Sequence, residues 1–193
     1  MKFDLILHDG KIMNGVDEFP QNFDIGIKND KIISVGNLKN EASTKKINCK
    51  NLIVLPGVID TQVHFREPGL THKEDIECAS KAAVMGGVTA FCEMPNTNPL
   101  TTSEKELNWK LLKAKNVSWC DYSFFIGATP NNILELSEYE KLPGCVGIKI
   151  FMGSSTGELL VQDTNNLSNA SNFGLTNATT TLVGNLIKKP SLL

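Results

Sequence analysis

At 193 residues, with a formal net charge of -2 and 41% hydrophobic residues, the chain has the composition of an ordinary globular protein. Its basic residues are scattered singly or in pairs such as Lys45-Lys46 and Lys188-Lys189, which excludes the concentrated basic face of a polyanion binder and leaves no nucleic-acid partner expected. No run reaches the ~18 apolar residues of a membrane span, and Asp4 interrupts the apolar start that a secretory signal needs.

The five cysteines are odd in number, widely spaced and free of CxxC pairs, so they read as reduced core thiols of a cytoplasmic protein with no membrane partner. Residues 1–55 alternate apolar and polar positions between turn signals: Phe3–Leu7, the His8-Asp9-Gly10 turn, Asp24–Ile27, the Lys28-Asn29-Asp30 turn and Lys31–Val35. This pattern predicts a small antiparallel β-sheet. His8 reads as a solvated turn histidine.

From Asn51 the texture becomes strand, loop, helix, repeated, which is the signature of βα units around a parallel sheet. A buried strand is expected over Leu52–Ile59, followed by a helix capped by Thr71 and Glu74 and closed by Gly86-Gly87. A second strand, Val88–Met94, precedes a helix from Ser103, with Glu106 completing its capping box, to about Ala114. A third strand over Tyr122–Ile126, a helix over Asn132–Leu142 and a fourth strand over Cys145–Phe151 complete about four βα units. The fold class predicted is therefore α/β, half of a (β/α)8 barrel behind a small β-sheet domain. Residues 164–193 are crowded with Asn, Thr and Ser, carry no acid and show no apolar period, so this tail is not expected to continue the barrel.

Reactive groups in a parallel barrel gather at the C-terminal ends of the strands, where the βα loops converge. His64 and Arg66 fall after the first barrel strand, Asn96 after the second, and Lys149 within the fourth. Arg66 offers a planar fork suited to a carboxylate, with a salt bridge to Glu67 as the plainer alternative. Lys149, flanked by Ile148 and Ile150, must shift its pKa, pair, react, or reach the rim. Asp60, Asp75 and His72 read as hydrogen bonding at the barrel end, helix N-terminal charge and surface.

The run Pro56-Gly57-Val58-Ile59-Asp60-Thr61-Gln62-Val63-His64-Phe65-Arg66-Glu67-Pro68-Gly69 resembles the dihydroorotase signature, in which a strand ends in Asp-x-His-x-His-Phe-Arg before an acid and Pro-Gly. Met94-Pro95-Asn96-Thr97 resembles a second motif of that family, and Lys149-Ile150-Phe151-Met152 looks like the bridging-lysine strand of related cyclic amidohydrolases. The resemblance covers residues 1–163. It implies an enzyme interconverting dihydroorotate and N-carbamoyl-aspartate in pyrimidine biosynthesis with two zinc ions per complete site, which activate a bridging water and polarise the ring carbonyl.

On that resemblance His64 and a carboxylated Lys149 would hold metal, while Arg66 and Asn96 would orient the substrate carboxylate. Gln62 departs from the family by replacing the first histidine, and an amide oxygen is a poorer zinc ligand than imidazole. The family's later histidines and its proton-shuttling aspartate are not expected in this chain, so no catalytic residue is assigned. Hydantoinases and allantoinases share the scaffold. A different class of reading is a non-catalytic assembly partner of aspartate transcarbamoylase, and a homo-oligomer is the other partner considered.

Overall fold

The computed structural model describes residues 2–16, 20–152, 159 and 161, and the backbone of 178–181. The chain divides into two compact units, Met1–Gly57 and Val58–Leu193.

The first unit holds strands β1 (Phe3–His8), β2 (Lys11–Ile12), β3 (Gln21–Asn22), β4 (Asp24–Lys28), β5 (Lys31–Gly36), β6 (Ser43–Asn48) and β7 (Ile53–Val54). They form a sheet in the order β5-β4-β1-β6 and a smaller one in the order β3-β2-β7. The antiparallel β4–β5 hairpin turns through Asn29 and Asp30, both at positive φ, which is the turn chemistry a tight two-residue connection demands. The sheets are mixed rather than purely antiparallel: β6 runs parallel to β1, and β7 parallel to β2. Asp24 ties the edges together, its carboxylate accepting the Asp9 and Leu38 amides at 3.1 and 2.8 Å. Phe3, Ile6 and Leu38 make the small core. His8 ends β1 with Nδ1 2.8 Å from Asp9 Oδ2.

The second unit is built on β8 (Val58–Val63), β9 (Val88–Glu93), β10 (Asp121–Gly127), β11 (Cys145–Phe151) and β12 (Ala178–Thr181), with helices α1 (Ile76–Met85), α2 (Glu104–Val117) and α3 (Leu136–Tyr139). The sheet is parallel throughout, in the order β12-β11-β10-β9-β8. Strand residues alternate between faces. Phe91, Phe124, Ile126, Ile148 and Ile150 pack with Ile76, Leu107 and Leu136 of the helices, whereas Cys92, Met94 and Phe125 form a second cluster.

Four further expectations change. The strand expected over Leu52–Ile59 is broken at Pro56-Gly57, where proline removes a donor, so Ile53–Val54 joins the first unit and β8 starts at Val58. β8 borders a single described neighbour, β9, and is largely exposed. The first helix is capped by Asp75, whose side chain accepts from the Cys78 amide, and not by Thr71. The third helix shrinks to one turn because Asn132 is committed elsewhere: its oxygen accepts from the Thr129 amide (2.8 Å), and its Nδ2 donates to the Thr102 and Gly127 carbonyls (2.7 and 2.9 Å). Finally, residues 178–181 of the tail pair with β11 in parallel and so extend the sheet. The rest of the tail lies outside the described residues. The second helix begins as expected, with Ser103 accepting from the Lys105 amide and donating to Glu106.

Candidate active site at the strand ends

His64 follows the last residue of β8, and Asn96 lies three residues past β9. Their side chains meet, His64 Nδ1 standing 2.9 Å from Asn96 Oδ1. With the amide oxygen accepting, Nδ1 carries the hydrogen and Nε2 of the neutral ring presents a lone pair. Burial, above all, lowers the His64 pKa, and the positive charges of Arg66, Lys149 and Lys110 lower it further, while the Asn96 contact works the other way. The ring is thereby kept in the neutral form that a ligand nitrogen requires.

Arg66 is partly buried in the loop after His64, with φ at +67°. Its expected alternative partner is taken: Glu67 gives Oε1 to Lys113 Nζ at 3.1 Å and accepts the Ile76 amide on Oε2 at 3.0 Å, closing the start of α1. Lys149 is 2% exposed, which removes the reading of a rim lysine reaching water. It sits level with Gly127 at the end of β10 and with Thr179 of β12. Neighbouring Ile148 and Ile150 belong to the helix-side core, so alternation sends Lys149 to the opposite face. Its Nζ lies 5.3 Å from the Phe151 ring centroid, and burial lowers its pKa.

Gln62 is exposed, with its backbone N–H donating to Asp60 Oδ1 at 3.0 Å, and the β8–β9 register is irregular between Asp60 and Val63. That irregularity interrupts the simple i, i+2 alternation expected to align Gln62 with His64. No group of three or more His, Cys, Asp or Glu residues able to hold a metal exists among the described residues. Among the described residues His64 and Lys149 alone fall short of the three protein ligands that a catalytic zinc takes.

Sequence reasoning missed the groups beneath these loops. Glu93, the last residue of β9, and Lys110 of α2 are both wholly buried, Nζ to Oε2 at 3.0 Å. Burial raises the carboxyl's pKa and lowers the ammonium's, each opposed by the other's charge. Lys110 shares the buried stripe of α2 with Leu107 and Ala114, a spacing visible in the sequence. A second tie joins the loops, since the Asn98 amide donates to the Pro68 carbonyl at 3.0 Å.

Residues 51–139 match the family model described as dihydro-orotase-like. A dihydroorotase of Pyrococcus abyssi is 38% identical over 153 residues, 78% of this chain and 33% of that protein. One from Aquifex aeolicus is 40% identical over 116 residues, 60% of this chain and 28% of its own length. An allantoinase of Rubrobacter xylanophilus is 35% identical over 156 residues, 80% of this chain and 33% of that protein. Among solved structures, L-hydantoinase (dihydropyrimidinase) from Arthrobacter aurescens superposes with a TM-score of 0.79 at 24% identity, covering 92% of this chain and 40% of that one. The chain thus spans about a third of the length of the curated relatives it matches. Residues 51–139 thus match a dihydro-orotase-like family model, and the fold resembles that of part of the hydantoinase.

Proposed function

We propose that the chain supplies part of the active site of a hydrolase of cyclic amides, and that the substrate is dihydroorotate, interconverted with N-carbamoyl-aspartate. The contact of His64 with Asn96 at 2.9 Å, with the Arg66 charge beside it, carries this reading. An arginine fork and an amide at one strand-end cluster suit a substrate that bears a free carboxylate.

In this reading Arg66 binds the carboxylate bidentately and Asn96 adds a hydrogen bond while holding the His64 ring. His64, through Nε2, and Lys149, as its carbamate, are the positions toward a divalent metal such as zinc; the described residues hold no group of three or more His, Cys, Asp or Glu around them. No catalytic proton shuttle is assigned within the described residues. Allantoinase and hydantoinase relatives leave the same scaffold open to ring substrates without that carboxylate.

Calorimetric titration with dihydroorotate, and with hydantoin as the comparator lacking the exocyclic carboxylate, tests the assignment. Dihydroorotate should bind more tightly, and Arg66→Lys should weaken it by about 1–3 kcal/mol while leaving hydantoin unaffected. Equal binding of the two ligands, or no effect of the lysine, would overturn the carboxylate role. Gln62 in place of a histidine favours a second reading, a non-catalytic partner of a carbamoyl-transferring enzyme such as aspartate transcarbamoylase. Zinc content of a protein of the relatives' full length that carries these residues separates the two, near-stoichiometric metal supporting the hydrolase.

A further inference from the structure

We propose that Glu93 and Lys110 are a positioning pair that sets the backbone of Arg66 and the approach of the Asn96 loop from the helix side of the sheet. Both side chains are wholly buried, where two charges hold a core no better than apolar residues of like size. What distinguishes the pair is where its two ends reach.

Glu93 closes β9, paired with Val63 at the end of β8 and with Phe124 in β10. Its carboxylate faces the backbone N–H of Arg66, which favours the charged form. Arg66 has φ at +67°, a left-handed conformation that side-chain-bearing residues seldom adopt. Neither Glu93 oxygen has a strictly aligned hydrogen bond, so the hold is a charge set against an N–H dipole and an ammonium. From α2, Lys110 Nζ donates to the Met94 carbonyl at 3.3 Å, two residues before Asn96, and lies 5.4 Å from the Phe124 ring centroid. One end of the pair thus governs the loop that carries Arg66, and the other governs the loop that carries Asn96.

The inference rests on the proposed substrate only for what Arg66 and Asn96 hold. The 193-residue chain carrying Glu93→Leu with Lys110→Met removes both charges while keeping the space filled. In a folded double variant, with β10 amides Phe124 to Ile126 still protected, the Arg66 amide should exchange at least ~10-fold faster and move upfield. Its strong intraresidue HN–Hα cross-peak, the mark of positive φ, should weaken. Unchanged Arg66 signals would overturn the proposal and reduce the pair to charge compensation in a core. Should the double variant fail to fold, Glu93→Gln alone reads the same amide, because a neutral oxygen replaces the carboxylate at constant shape. A wild-type chain that binds no dihydroorotate, with the Arg66 effect still seen in the variants, would sink the substrate reading and uphold the positioning pair.

Discussion

His64 Nδ1 and Asn96 Oδ1, 32 residues apart in sequence, stand 2.9 Å from each other and join the ends of neighbouring strands. In the metal-free chain the His64 pKa lies below the ordinary 6.5, through burial first and the Arg66 charge second. The unfolded chain then binds more protons than the folded one as pH falls through that value, so this histidine's contribution to stability is complete above 6.5 and is lost on acidification toward the lower folded pKa. Asn96→Ala removes the one contact that raises the pKa, and the loss should extend to lower pH. An NMR titration of the His64 ring, beside urea midpoints at several pH values, checks the sign. A pKa that rises in the variant contradicts it.

Lys110→Met alone strands a carboxylate among buried groups and should destabilise the chain by about 3–5 kcal/mol. Adding Glu93→Leu should return stability to within about 1 kcal/mol of the parent, because the replacement pair fills similar volume without desolvated charge. Urea unfolding of the parent, both single variants and the double variant gives the complete cycle. A double variant as unstable as Lys110→Met would show that packing, not charge, is at stake.

Much of this was legible. The second helix cap, the fourth strand and the strand-end placement of His64, Asn96 and Lys149 follow from capping chemistry, apolar runs and turn residues, all of which are local. What was hidden depends on tertiary partners. Asp75 outcompetes Thr71 as the cap because Glu67, from the preceding loop, also feeds the helix start. Asn132 spends its side chain on Thr102 and Gly127, so no periodicity could reveal that the third helix is one turn long. Glu93 was masked by its apolar strand, although the placement of Lys110 on the apolar stripe of α2 was a readable sign.

Glu67 should matter more than its partner. Glu67→Ala leaves the buried Ile76 amide without its acceptor and should lower stability by about 1–2 kcal/mol, in the range of a lost cap. Lys113 is 38% exposed, so Lys113→Met should cost about 0.5 kcal/mol or less. Thermal melts of the two variants rank them, and a larger effect at Lys113 would reverse the assignment.

The cysteines should separate by accessibility. Cys78 is exposed on α1, whereas burial raises the thiol pKa of both Cys92 and Cys145 and so keeps the reactive thiolate scarce. Brief iodoacetamide treatment of the native chain should alkylate Cys78 first, as read by peptide mass spectrometry. Early labelling at Cys92 would show that the inner face of the sheet opens readily.

Gly69→Ala should be among the most damaging single changes. The residue has φ at +82°, and a Cβ there would collide with the Asn98 carbonyl oxygen. Strain and collision together should exceed about 3 kcal/mol, so the variant should be largely unfolded or insoluble on expression. A normal melting curve would show that the two loops separate cheaply.

The seam between Pro68-Gly69 and Asn98 also bears on how such a scaffold diversifies. Two loops held backbone to backbone cannot change length one at a time: a single inserted residue in either would shift its neighbour, and with it Arg66 or Asn96. Changes of length would be accommodated more readily along the stretch after β10, where Pro130 and Asn131 are exposed and the anchoring by Asn132 lies behind them. The first two loops should therefore tolerate changes of length less readily than the third.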